Sequence, residues 1–296
     1  MSELSISFEF QPPYSPDAAR RLEGAAQRLT AFAHDFSIMH WGAGAVPADR
    51  ALKAIKSLKK ICHTKIVAHF AQNSMKKSDI TNFAQRYNAC DIDHIYLTRS
   101  FSHYGRAFQQ HEMQYKNILD MMRDLKNVAD FNFIVSVFPE SKFFDVQNID
   151  YIKRAIDAGA RHVISHICYN NDHILALRDK LVQNNIHIPL RVGIMPLTKI
   201  KKTYNLVRQY GISVQDAHAK TLFEMTEDQE DKFAIDGLAA HYALLQCQEL
   251  IQEGITDFHF LTQNLYQSVY IICKALNVKR QYPHRAEHID TVSLSA

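Results

Sequence analysis

The chain opens on an alternation. Leu4, Ile6, Phe8 and Phe10 interleave with Ser5, Ser7 and Glu9 until Pro12-Pro13. This is the two-residue period of a strand with one apolar face, ended by residues that cannot extend a ladder. Further β-rich runs lie at 36–40, 65–69, 94–98, 131–138, 162–166, 188–193 and 257–261, eight in all. Between them, apolar residues fall at three- and four-residue spacing over 18–33, 48–61, 80–87, 113–126, 149–158, 173–183 and 198–208, the mark of amphipathic helices. Two more helical stretches, 213–223 and 228–253, precede the eighth strand, and one, 267–276, follows it. Gly159 and Gly254 stand where helices end before strands six and eight, as C-terminal caps commonly do.

No Pro/Gly/Ser-rich linker divides the chain. Strict β-α alternation predicts an α/β protein, a single (β/α)8 TIM-type barrel over residues 1–278 with extra helices before the last strand. A doubly wound open sheet is the rival architecture. Residues 279–296 read as a polar C-terminal tail.

In such a barrel catalytic groups gather at the C-terminal ends of the strands. Those ends carry Glu9, His40, His69, Arg99, Glu140, His166, Met195 and residues 262–264. Any one strand-end histidine reads first as a hydrogen-bonded structural residue; their recurrence at one end is the functional signal. Glu9, on the face opposite the apolar one and among aromatic neighbours, is expected to have a raised pKa and to act as a general acid. The Trp41-Gly-Ala-Gly-Ala45 loop would let backbone approach a flat ligand or a phosphate. Lys199, Lys201 and Lys202 read as a solvated helix start ahead of an anion contact.

Composition narrows the partners. Of 296 residues 47% are hydrophobic and 22% charged, and 34 basic against 31 acidic residues leave a formal charge of +3. That interspersed balance argues against a nucleic acid or a membrane surface as partner and leaves a small acidic ligand open. Five scattered cysteines without a C-x-x-C pair read as buried thiols of a reducing, cytoplasmic compartment. No stretch approaches bilayer length. Nucleophile-elbow and metal-motif spacings are missing, so no metal is assigned. Convergence of His40, His69 and His166 on a metal, as in a barrel hydrolase, stays as an alternative.

Seven segments together resemble a known family. Ser7-Phe-Glu-Phe-Gln-Pro-Pro13 is similar to S-F-E-F-F-P-P, and 36–44 to V-S-V-T-Y/W-G-A-G. Ala68-His69 stands at P-H-L-T-C, Val137-Phe-Pro-Glu140 at A-Y-P-E, and Asp157-Ala-Gly-Ala160 at D-A-G-A. Gly193-Ile-Met-Pro196 matches G-I-M-P, and Asp257-Phe-His-Phe260 with Thr262 and Asn264 resembles D-F-H-F-Y-T-x-N. In this order, over residues 5–278, they resemble methylenetetrahydrofolate reductase, a flavin-dependent barrel enzyme of one-carbon metabolism. The resemblance implies an oxidoreductase that reduces 5,10-methylenetetrahydrofolate to 5-methyltetrahydrofolate, with FAD recharged by NADH or NADPH. It implies Glu9 as proton donor to the folate nitrogen. Trp41, Ala43, His69, Arg99, Phe138 and Arg154 would lie at the cofactor, and His40, Phe101 and His166 at the substrate. Family members commonly assemble, so a homo-oligomer is implied as well.

The departures fall on ligand contacts. Leu97-Thr-Arg-Ser-Phe101 replaces A-L-R-G-D, so Phe101 takes the place of an Asp facing flavin and folate. His40 replaces a strand-two Thr, His166 a folate-holding Gln, Tyr151 and Ala155 an Asn and a Lys near the flavin's diphosphate, and Leu265 an Arg. Fold-defining positions survive while these change. The pattern fits a diverged member: altered flavin binding, direct hydride transfer from a nicotinamide, or another folate-linked reaction such as methyl transfer or demethylation. A folate-binding subunit without catalysis is disfavoured by the intact Glu9.

Overall fold

The structure is a computed structural model that describes residues 3–40, 48–72, 76–98, 115–140, 149–198, 212 and 232–281. Its elements run β1 (Ser5–Phe10), α1 (Pro16–Leu29), β2 (Phe36–Met39), α2 (Ala48–Ile61), β3 (Lys65–Ala71), α3 (Lys77–Asn88), β4 (His94–Thr98) and α4 (Ile118–Lys126). They continue with β5 (Asn132–Val137), α5 (Ile149–Asp157), β6 (Ala160–Ser165), α6 (Asn171–Gln183), β7 (Leu190–Ile194), α7 (Lys232–Gln252), β8 (Asp257–Leu261) and α8 (Gln267–Ala275). The eight strands are all parallel and close in sequence order, with β1 paired to both β2 and β8. The expected barrel is therefore the observed one, and the open doubly wound sheet is excluded.

Strand alternation builds two cores. Ile6, Phe8 and Phe10 point outward into the layer between sheet and helices and are fully buried there; each such side chain contributes about 1.5–3 kcal/mol. The inward residues form a smaller cluster, Phe36, Ile38, Val67, Tyr96, Ile134 and Ile164, that plugs the barrel. Parallel register keeps neighbours on one face: Glu9 pairs with Ile38 and Leu261, and Ser7 with His259. Polar Ser7 and Glu9 thus point inside.

Element ends differ from the expectation by a few residues, for local reasons. α1 stops at Leu29, not 33, because the Thr30 hydroxyl caps it by donating to the Ala26 carbonyl at 2.6 Å, and Phe32 turns into the core. At its start Ser15 Oγ accepts from the Ala18 amide at 3.1 Å ahead of Pro16, a favoured N-terminal arrangement. β3 runs on through Phe70 and Ala71, both buried. β6 starts at Ala160, directly after Gly159 takes φ +103°; Gly254, at φ +85°, does the same before β8. α3 reaches back to Lys77, through a polar first turn that carries no apolar spacing to mark it in the sequence. The stretches expected as helices at 198–208 and 213–223 lie, apart from Thr198, outside the described residues. Lys279–Gln281 are tied to the barrel base, Arg280 bridging to Phe32 and the Gln281 amide donating to the Ala31 carbonyl. Residues 282–296 lie outside the described set.

Candidate active site

β1 delivers Glu9 to the mouth of the barrel interior. The strand end is fixed from the far end of the chain: Thr262 donates to the Glu9 carbonyl through its hydroxyl at 2.7 Å and its amide at 3.2 Å. Gln11 and Asn264 exchange two bonds, of 2.9 and 2.8 Å, just beyond. Gln263 and Asn264 take left-handed backbone, φ 50° and 58°, to make this turn. Such strained residues cluster at functional sites.

The Glu9 carboxyl meets two histidines. Oε1 lies 3.3 Å from Nδ1 of His40, at the end of β2, and Oε2 lies 3.4 Å from Nε2 of His259, in β8. Behind His259, its Nδ1 is 2.8 Å from the Ser7 hydroxyl. In front, the His40 ring stacks on His69 with centroids 4.2 Å apart and planes 16° from parallel. His69 Nε2 is 2.7 Å from the Thr98 hydroxyl, and its ring tilts against Tyr96 at 5.4 Å. Across the mouth, His166 stacks on Phe138 at 4.6 Å. The side chain of Glu9 is 7% exposed and that of His40 is 30% exposed, so His40, unlike Glu9, His69 and His259, reaches solvent, as half-buried His166 also does.

The electrostatics correct the expectation for Glu9. Burial does push its carboxyl up. The charge of His40 and the hydrogen bonding from His259 and His40 outweigh it and hold the pKa well below 4.5. Burial likewise opposes the His40 imidazolium, yet the facing carboxylate raises its pKa above 6.5. His259 goes the other way: burial, at a site only 1% exposed, lowers it despite Glu9. Burial also pushes His166 down to about 4. The cluster is thus a carboxylate, one imidazole at the mouth biased toward its charged form, and two, His259 and His166, biased toward their neutral forms.

Glu9, His40, His69, His166 and Phe138 therefore come together as expected. Arg154 does not join them: it lies on α5, its guanidinium donating to its own helix at the Asp150 carbonyl. Trp41, Ala43, Arg99 and Phe101, with Lys199, Lys201 and Lys202, lie outside the described residues. Ser7 and His259 were missed as site residues. The signal was present in the parity of β8, where Asp257, His259 and Leu261 alternate with buried Phe258 and Phe260.

Two ligand readings can be tested on this geometry. No group of three or more His, Cys, Asp or Glu among the described residues could hold a metal ion. The face-to-face His40 and His69 rings keep their nitrogen lone pairs in near-parallel planes instead of converging on one ion. A flavin fares little better on the described residues. His69 is 1% exposed beneath His40 with Nε2 engaged, Phe138 is 4% exposed, and Arg154 is apart from both. These three do not by themselves make a flavin cradle, and Trp41, Ala43 and Arg99, the other residues expected at the cofactor, lie outside the described residues.

Comparison with known proteins agrees with the barrel. The family model for methylenetetrahydrofolate reductase matches residues 1–277. The 5,10-methylenetetrahydrofolate reductase of Pectobacterium carotovorum is 27% identical over 282 residues, covering 93% of this chain and 91% of that protein. That of Escherichia coli K12 is 26% identical, covering 94% and 92%. Methylenetetrahydrofolate reductase (NADH) 1 of Arabidopsis thaliana is 23% identical, covering 90% of this chain and 47% of that one. A solved Clostridium thermocellum protein, described as binding two copies of 5-methyl-5,6,7,8-tetrahydrofolic acid, superposes with TM-score 0.65 at 12% identity, covering 94% and 96%, and shares the fold. With a closed (β/α)8 barrel and a family match along almost its whole length, the chain belongs to the methylenetetrahydrofolate reductase family of folate-linked one-carbon oxidoreductases.

Proposed function

We propose that this enzyme reduces 5,10-methylenetetrahydrofolate to 5-methyltetrahydrofolate with a hydride from NADH or NADPH, and that Glu9 is the group that protonates the folate. The observation that carries the reading is the inward Glu9 carboxyl at the barrel mouth, braced by Thr262 and flanked by His40 and His259. Protonation of the bridging nitrogen opens the five-membered ring to an iminium. Hydride addition to its carbon then gives the N-methyl product. Each turnover consumes one proton and oxidises one nicotinamide. The residues form a proton site, whereas hydride chemistry belongs to the nicotinamide.

His166, replacing a Gln, presents a ring edge to a pterin, and the Phe138–His166 stack, its centroids 4.6 Å apart, offers it a flat wall. The nicotinamide is the electron source in this reading. A cytoplasmic setting fits the free cysteines and the lack of any membrane-length apolar helix among the described residues.

The test mixes purified protein, methylenetetrahydrofolate and each nicotinamide, and follows loss of reduced-nicotinamide absorbance with detection of 5-methyltetrahydrofolate. Product formation is expected. Nicotinamide oxidation without a methylated folate, or none under any combination with and without added FAD, overturns the reading. The visible spectrum of the protein as purified decides whether a flavin is carried.

A further inference from the structure

Resting on that reading, we propose that His40 holds, in the ligand-free enzyme, the proton that Glu9 delivers to folate, so that the acid of this site is a Glu9–His40 couple and not an isolated carboxylic acid.

The geometry separates the two histidines. Both press on the same carboxylate, from β2 and from β8. His259 is sealed 1% exposed, with Ser7 on its second nitrogen, so a charge there would have no solvent and only one counter-charge. His40 has Glu9 on one side and solvent on another, 30% of its side chain being exposed. Its ring lies flat on His69, a contact that suits a cation over a π-face, and its buried Nδ1, which makes no hydrogen bond in the resting geometry, lies 3.3 Å from Oε1. The titratable groups facing this pair among the described residues are His259 from β8, His69 from β3 and His166 from β6, with Tyr96 of β4 behind His69. None of them is a second carboxylate. Among the described residues Glu9 is the one carboxylate at this pair, and His40 is the base that faces both it and solvent.

The step balances simply. The His40 Nδ1 proton passes to Glu9 Oε1 over a contact of 3.3 Å that shortens as folate closes the mouth. Glu9 passes its proton to the bridging nitrogen as the ring C–N bond breaks. His40 is left neutral and regains a proton from water on its exposed side. His40 does not touch folate; it is a positioning and proton-holding residue. A threonine, as in the family, has no proton to hold at this pH, and a carboxyl beside it must carry its own.

Two measurements test this. In ¹⁵N-edited NMR titrations, the His40 nitrogens of the wild type are expected to titrate above 6.5 and to move down in Glu9→Gln. A midpoint that Glu9→Gln leaves unchanged overturns the proposal. In pH profiles of methylenetetrahydrofolate reduction, the alkaline limb of kcat belongs to the couple in the wild type. In His40→Thr it belongs to Glu9 alone, so it should fall by about one pH unit or more with little change in KM. A limb that stays in place overturns the proposal, whereas a merely structural role would lower the rate at every pH. Absence of turnover by the wild type overturns the reductase reading and the delivery step with it. The titration then still decides where the proton resides.

Discussion

The Ser7 hydroxyl donates to Nδ1 of His259 at 2.8 Å, and the direction of that bond follows from what lies on the other side of the ring. Nε2 faces the Glu9 carboxylate at 3.4 Å, which only accepts. Nε2 therefore carries the hydrogen and Nδ1 is the acceptor. Ser7→Ala leaves a buried imidazole nitrogen without its donor. The expected cost is about 1–3 kcal/mol by urea unfolding, and Ser7→Thr, which keeps the hydroxyl, should recover part of it. An unchanged unfolding midpoint in Ser7→Ala would refute the assigned tautomer.

Charge placement at the mouth makes stability depend on pH with a definite sign. Glu9, lowered in the folded state, contributes stability that is complete above 4.5 and is lost as pH falls through its folded value. His40, raised, contributes stability that is complete below 6.5 and is lost as pH rises through its folded value. Both are complete between 4.5 and 6.5. The Tm deficits of Glu9→Gln and His40→Gln against wild type should be largest in that window. The first should shrink on the acid side and the second on the alkaline side. His166 and His259, whose lowered values destabilise every variant as pH falls, cancel only in part in these differences, because Glu9 raises and His40 lowers both. Deficits that do not vary with pH would break the pairing argument.

How much of this the sequence reveals depends on separation along the chain. The inward direction of Glu9 is legible in six residues, because Ser5 and Ser7 share its parity. The barrel is legible from the β-α alternation. The low carboxyl pKa is not, since apolar neighbours of Glu9 in sequence argue for a raised one. The groups that reverse it arrive only on closure: His40 when its amide donates to the Phe10 carbonyl at 2.7 Å, and His259 from 250 residues away. Arg154 stands apart from this cluster, and a match in a motif fixes its helix but not which way its long side chain turns on that helix.

At the opposite end of the barrel, Arg191 is 3% exposed, bonds Ser5 Oγ at 2.6 Å and Asp35, lies 3.6 Å from Asp257, and covers the Phe36 ring at 4.8 Å. Arg191→Ala removes both the charge and the packing. The expected loss is about 3 kcal/mol, the low end for a broken buried pair, because Asp35 and Asp257 keep contact with water. Buried Nη1 has no hydrogen-bond partner, so Arg191→Met, which restores packing without that liability, should cost less than Ala. Turnover per folded molecule should be unchanged in both, as the N-terminal face of such barrels serves stability. Equilibrium unfolding beside active-site titration separates the two effects.

Gly193 in β7 marks where the barrel wall tolerates no side chain. A Cβ there would sit 2.3 Å from the Ser165 carbonyl oxygen and 3.5 Å from the His166 carbonyl carbon, backbone atoms at and just past the end of β6. The strands cannot simply part, because the Gly193 amide donates to Ser165 Oγ at 3.0 Å. Overpacking in a core costs about 1–3 kcal/mol when side chains can yield. Here backbone must move, so Gly193→Ala should lose about 3 kcal/mol or more. The displaced strand carries His166 at its end, which predicts a second effect. Folate affinity should fall in the fraction that stays folded, while a control at the solvent-open Gly24→Ala, where no atom lies within 4 Å, should be neutral or slightly stabilising within its helix. Urea unfolding of the two variants, with folate binding measured on each, checks both parts. A Gly193→Ala protein as stable as wild type would mean that β6 and β7 are not packed this closely.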